Sequence, residues 1–226
     1  MREIALDTET TGFDPATGHR IVEIGCVEMW SRIRTGKHFQ AYLNPDRDMP
    51  EEAFAVHGIS SEFLRDKPRF HEVADALLAF IGDDPLVIHN AQFDMRFLNH
   101  ELVKIGMPAL PISRAIDTVG IARIKFPGSP VKLDALCKRF AIDLSARSKH
   151  GALLDAELLA DVYLELMGGR QESMLLAAET TTALVPLEFD AVTLITHRVF
   201  APTDEELTAH AAFLKQVKKP LWLEGV

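Results

Sequence analysis

Asp7 and Glu9 stand two residues apart at the end of a short apolar run, Ile4-Ala5-Leu6. On a strand, positions i and i+2 point to the same face, so the two carboxylates share one side. A core does not accept such a pair without a cation between its members. By itself the pair also fits a strand end that reaches solvent. A second carboxylate, Asp94, closes the stretch His89-Asn90-Ala91-Gln92-Phe93-Asp94, directly after the apolar run Leu86-Val87-Ile88. That order puts Asp94 at the strand's C-terminal edge or in the first turn of the next helix, where the helix dipole also favours an acid. The third group is His150-Gly151-Ala152-Leu153-Leu154-Asp155. Here Asp155 lies about a turn and a half beyond His150 in an otherwise apolar helical stretch, and an acid so placed needs a partner or a metal. Together these segments supply four carboxylates and one histidine. Hard oxygen donors without cysteine favour Mg²⁺ or Mn²⁺ over Zn²⁺. Two such ions about 3.5–4 Å apart can hold the attacking and leaving oxygens of a phosphodiester. A neutral imidazole can take the proton of the attacking water.

The elements that must position these groups follow from periodicity. Residues 3–7, 20–30 and 38–43 read as strands, with Ile21, Ile24, Val27 and Met29 as buried candidates. Turns read at Asp14–Gly18 and Thr35-Gly36-Lys37 would join them as an antiparallel meander. Residues 70–81, 93–105, 132–140 and 151–167 have helical spacing, residues 86–88 form a short buried strand, and Gly168-Gly169 stops the last helix. Strands alternating with helices imply an α/β fold with a mixed sheet. Phe54, Phe63, Phe70, Phe80 and Phe97 read as core. His19, His38, His71, His100, His197 and His210 show no ligand spacing with one another.

Beyond Gly169 the pattern changes. Residues 170–190 read as a linker, 191–200 as a strand, and Thr203-Asp204-Glu205-Glu206 as a capping box that opens a helix, with Leu207, Ala211, Leu214 and Val217 at helical spacing. The chain thus divides into 1–169, a linker at 170–190, and a tail at 191–226 ending in the apolar Pro220–Leu223.

Composition bounds the function. The 226 residues carry 24 Lys+Arg against 33 Asp+Glu, a formal charge of −9. That balance speaks against a protein that coats nucleic acid or sits on an anionic membrane. Cys26 and Cys137 are far apart, with no CxxC and no Cys/His cluster, which disfavours a disulfide framework or a zinc site. There is no run of about 18 apolar residues and no apolar signal-peptide core, so a reducing cytoplasm is the expected compartment, with no membrane partner.

Asp7-x-Glu9, Asp94 and His150-x₄-Asp155, in the local words DTETTG, HNAQFD and HGALLDA, resemble the motif set of the DEDDh 3′–5′ exonucleases, the DnaQ-like superfamily. The resemblance covers about residues 1–169. It implies a ribonuclease-H-like mixed sheet flanked by helices and two-metal hydrolysis from a 3′ end. Asp7, Glu9, Asp94 and Asp155 would be the metal ligands and His150 the general base; a Tyr at the His150 position would have marked the sister subgroup. EEAFAVHGIS (51–60), KFPGSPVKLDALCKRF (125–140) and FAPTDEELTAHAAFL (200–214) are similar to the proofreading epsilon subunits of bacterial DNA polymerase III. That likeness implies that Glu9, the backbone near Thr10, Glu52, the loop residue His57, Phe93 and Asp155 meet the terminal nucleotide of a DNA 3′ end. It implies that the tail, 191–226, docks on the polymerase catalytic (alpha) subunit, and it leaves room for a small third core subunit on the first domain. Residues 170–190 depart from the Gln-rich linker common in those proteins. Two other functions remain open at this point: an RNA 3′-end trimmer of the same fold, and a scaffold that mainly stabilises a polymerase.

Overall fold

The structure is a computed structural model that describes residues 1–145, 150–169 and 202–215. The linker read at 170–190, the strand read at 191–200 and the apolar end at 220–223 lie outside these residues. The chain divides into two units, Met1–Leu175 and Leu176–Val226.

In the first unit, β1 (Arg2–Thr10), β2 (Ile21–Trp30) and β3 (Ile33–Tyr42) form the expected antiparallel meander. β4 (Leu86–Ile88) pairs parallel with β1, and β5 (Ala115–Asp117) pairs parallel with β4. The five-stranded order is β3-β2-β1-β4-β5. The helices are α1 (Glu51–His57), α2 (Ser61–Leu64), α3 (Phe70–Ile81), α4 (Ala91–Lys104), α5 (Thr118–Lys125), α6 (Leu133–Arg139) and α7 (Ala152–Leu166). In the second unit, α8 (Asp204–Leu214) begins with the expected capping box: Thr203 Oγ1 accepts from the Glu206 N–H at 3.3 Å, and the Glu206 carboxylate accepts from the Thr203 N–H at 2.8 Å.

Strand alternation sorts the sheet into two faces. Ile4, Leu6, Ile24 and Ile88 pack against Leu77 of α3 and Phe97 of α4. Ala5, Val27 and Val87 pack against Leu136 of α6 and Leu159 and Tyr163 of α7. β2 is covered on both faces, so Ile21 to Met29 are all buried. Each fully buried Leu or Ile contributes about 2 kcal/mol of transfer free energy, and these two layers enclose β1 between them.

The turn read at Thr35–Lys37 is elsewhere. Ser31 and Arg32, with φ of 49° and 68°, close the β2–β3 hairpin. Positive φ at both central residues matches the strand twist better than an ordinary turn does. Thr35–Lys37 lie inside β3, where Gly36 at φ 89° accompanies a register shift opposite Glu28. The glycine therefore marks a bulge. Phe70 and Phe97 are core and Phe80 packs against it, but Phe54 and Phe63 are 42% and 46% exposed. Phe63 instead packs edge-on against Tyr42, ring centres 5.0 Å apart.

At the sheet end away from the carboxylates, Glu28 accepts from Arg2 Nε at 2.6 Å and from Thr35 Oγ1 at 2.8 Å. The Arg2 guanidinium above all, then the Thr35 hydroxyl, holds its carboxyl down at about 2. A depressed carboxyl stabilises the fold above the unfolded-state value and loses that contribution as pH falls through the folded one. Glu28→Gln should therefore lower stability at pH 7, and its deficit should shrink between pH 4.5 and pH 2. Denaturant titrations of both proteins at pH 7, 4 and 2.5 check this.

Candidate active site

The C-terminal end of β1 is approached from both faces. Ala5, Asp7 and Glu9 point to the α7 side, whereas Ile4, Leu6 and Thr8 point to the α4 side. From the α7 side come His150 and Asp155, the latter in the helix's first turn. Donor atoms of Glu9, His150 and Asp155 lie within 4.8 Å of one another. From the α4 side comes Asp94, in that helix's first turn; it accepts from Thr8 N at 3.0 Å and from Thr8 Oγ1 at 2.7 Å. Asp94 thus meets β1 at the residue between Asp7 and Glu9.

Close approach of α7 rests on one glycine. Gly25 is the cross-strand partner of Asp7, and a Cβ there would lie 2.3 Å from the backbone of Ala152 and Leu153. Backbone atoms cannot yield at that distance, so any side chain would lift the start of α7 off the sheet. Gly25→Ala should cost roughly 1–3 kcal/mol of stability through overpacking. It should cost about 100-fold in turnover, because about 1 Å of displacement at reacting groups has that effect. Melting curves and steady-state rates on one preparation test both.

The electrostatics fit a divalent cation. Asp94 is buried, and burial pushes its carboxyl up to about 7 against the downward pull of the Thr8 hydrogen bonds. Without a cation the ionised form is poorly compensated. Glu9 and Asp155 are buried too, and the donor set is carboxylate-rich with no thiol. Oxygen donors of this kind suit a hard ion.

His150 is oriented by its neighbour. Its Nδ1 lies 3.1 Å from Asp155 Oδ2. In the tautomer that donates from Nδ1 to this carboxylate, Nε2 is the ring's acceptor. The ring is half exposed, and its backbone N–H bonds Val56 O of α1 at 3.4 Å.

Beside this group lies a cleft of about 350 Å³. Its walls include Glu9, Thr10, Glu52, His57 and Phe93, so five of the six residues expected at the terminal nucleotide share one surface. His57 is not a loop residue. It ends α1, is buried, and accepts from the Ile59 N–H at Nδ1 over 3.0 Å, which puts its proton on Nε2. Thr10 is fixed by its hydroxyl bond to Gly12 O at 2.6 Å.

One wall residue had no spacing signal. His19 lines the cleft, bonds Thr11 Oγ1 at 3.1 Å, and packs so closely on Gly12 that a Cβ there would lie 2.3 Å from the ring. Only closure of the β1–β2 loop brings them together. His89 Nδ1 meets Thr118 Oγ1 at 2.9 Å, and burial lowers its pKa.

The family model described as "Exonuclease" matches residues 4–163, a span that holds every group of this site. DNA polymerase III subunit epsilon of Rickettsia conorii is 52% identical over 224 residues, covering 97% of each protein. The chain is an exonuclease of the DNA polymerase III epsilon-subunit family. The Escherichia coli K12 epsilon subunit is 47% identical over 229 residues, covering 96% of this chain and 94% of that one. Among solved structures, Exonuclease X in complex with 5′ overhanging duplex DNA is 29% identical with a TM-score of 0.57, covering 74% of this chain and 90% of that one. The nuclease domain of 3′hExo, a DEDDh family member bound to rAMP, shares the fold at a TM-score of 0.63 and 18% identity, covering 74% and 91%. The two epsilon-subunit matches extend past residue 163, so the family likeness includes part of the tail as well as the nuclease fold. Among the described residues no helix is long and apolar enough to cross a membrane.

Proposed function

We propose that the chain proofreads DNA replication in the bacterial cytoplasm, removing mispaired nucleotides from a primer 3′ end as nucleoside 5′-monophosphates. The observation that carries this reading is the convergence of Glu9, His150 and Asp155 beside a nucleotide-sized cleft, in a chain similar to epsilon subunits over nearly its whole length.

Asp7, Glu9, Asp94 and Asp155 would hold two divalent cations, Mg²⁺ or Mn²⁺. When bound, such ions lower the pKa of an attacking water and neutralise charge on the departing oxygen. The protein groups do the rest. Asp155 keeps the imidazole of His150 in the tautomer whose Nε2 accepts the water's proton. Phe93 and the Thr10 backbone hold the terminal base and sugar, and Glu52 and His57 bond the terminal nucleotide. A backbone hydrogen bond from His150 to Val56 of α1 ties the base to the cleft wall.

The formal charge of −9 agrees with this reading. Two divalent ions offset the four site carboxylates locally, while the rest of the surface stays acidic and makes few phosphate contacts. Delivery by a polymerase supplies the missing affinity as effective concentration. Residues 1–169 are the nuclease, 170–190 the linker, and 191–226 the segment that docks on the polymerase catalytic subunit.

Truncation after Gly169 tests the division. Exonuclease rate should stay within about twofold, since every residue assigned to the site lies before Gly169 and independent sites contribute additively, while co-elution with the catalytic subunit is lost. Loss of activity with co-elution retained would overturn it. Rates on matched DNA and RNA oligonucleotides decide the substrate: equal or faster RNA digestion would favour a trimming nuclease.

A further inference from the structure

We propose that Glu23 is a positioning residue for the reaction, acting through the first turn of α7 on His150 and Asp155. This rests on the roles given to those two residues above. Glu23 lies on β2, 1% exposed, and is the direct cross-strand partner of Glu9. Directly paired residues of an antiparallel ladder share a face, so Glu23 faces α7 beside the site's own acids.

A carboxyl buried there is costly unless it is bonded. Two donors meet it. Gln40 Nε2 donates to Oε1 at 2.8 Å, and the Ala152 N–H donates to Oε2 at 3.1 Å. Ala152 is the first residue of α7, and its N-cap, Gly151, has no side chain to satisfy the first-turn amides, which lack acceptors within the helix. The sheet therefore caps the helix, through a residue 129 positions away in the chain. A buried amide at a helix start needs such an acceptor, and the positive end of the helix suits an acidic one.

The position of that bond gives it a role beyond capping. Ala152 lies between His150 and Asp155 in the chain, two residues from one and three from the other. Gly25 sets how closely this turn approaches β2, and the Val56 carbonyl holds the His150 amide. Glu23 fixes the turn laterally, over Glu9. Without it, α7 can still pack through Leu159 and Tyr163, but its first turn is no longer registered against β1.

The test uses the full chain with Mn²⁺ on a mismatched primer. Glu23→Met keeps the side-chain length and removes the acceptor. Glu23→Gln keeps an acceptor for Ala152, while its amide can donate to a reoriented Gln40. Glu23→Met should lower kcat about 10–100-fold with KM within about threefold, and Glu23→Gln should recover the rate to within about threefold of the parent, as groups that orient metal ligands behave. Hydrogen exchange at the Ala152 amide should quicken in Glu23→Met and stay at the parental rate in Glu23→Gln. Glu23→Asp, too short to reach Ala152, should follow Glu23→Met and serves where the methionine variant does not fold. Parental kcat in Glu23→Met or Glu23→Asp would overturn the proposal, as would a Glu23→Gln as slow as Glu23→Met. His150→Gln in the same assay separates the two levels. If it is slow while Glu23→Met is fast, only the tether fails; if it is itself fast, the roles given to the α7 residues fall.

Discussion

Asp155→Ala is expected to reduce turnover roughly 10³-fold or more. A cation's Lewis-acid contribution is several kcal/mol, and each 1.4 kcal/mol is about a factor of ten in rate. Asp155 is worth more than one ligand because its carboxylate serves twice. It stands with Glu9 among the carboxylates proposed to hold the cations, and it holds the His150 imidazole through Nδ1. Its removal takes a donor from the ions and lets the ring turn. The fold should not suffer in proportion. Asp155 is 3% exposed and set among other acids, so deleting it relieves repulsion in the metal-free protein. An unchanged or raised melting temperature without metal, beside the lost turnover, marks the defect as chemical. The stabilisation that Mn²⁺ adds to the parent by binding only the folded state should shrink in the variant.

His150→Gln is expected to lower kcat about 10²–10⁴-fold, the usual worth of a positioned general base. His150 is half exposed and sits at the edge of α7. Its replacement therefore leaves both core layers intact. Glutamine can still donate to Asp155 but cannot accept a proton at neutral pH. KM should change far less than kcat, because the cleft proposed to seat the nucleotide is lined by Glu52, His57, Thr10 and Phe93 and not by His150. A large rise in KM with kcat preserved would move His150 from proton transfer to substrate binding.

How much of this was legible in the sequence follows from where each signal resides. The strand alternation of β1 and the apolar runs of β2 and β4 are local, and so is the helical spacing of α3, α4, α6 and α7. The acids are local too: Asp7-x-Glu9 share a face by strand geometry, and Asp94 and Asp155 each fall in a first helical turn. Helix α1 was not legible because Phe54 and Val56 are exposed and only His57 is buried, so no core-facing stripe appears. β5 has three residues, and α5 follows it at once with Asp117 as its cap. The β2–β3 turn was misplaced because Ser31-Arg32 lack the usual glycine or asparagine, while Gly36 marks a bulge instead. Glu23, His19 and Gly25 depend on neighbours far away in the chain. Glu23 reads locally as an acid in an apolar strand, and its meaning comes from a helix that begins at residue 152.

The central claim is that carboxylates gathered at the end of β1 hold the cations for 3′-end hydrolysis. Its most direct measurement is digestion of a labelled primer with a mispaired 3′ end by the purified chain with Mn²⁺, with and without EDTA, beside Asp155→Ala. Stepwise shortening from the 3′ end with release of nucleoside monophosphates is expected, abolished by EDTA and by the substitution. An intact primer with Mn²⁺ present, or shortening that survives EDTA or Asp155→Ala, would contradict it.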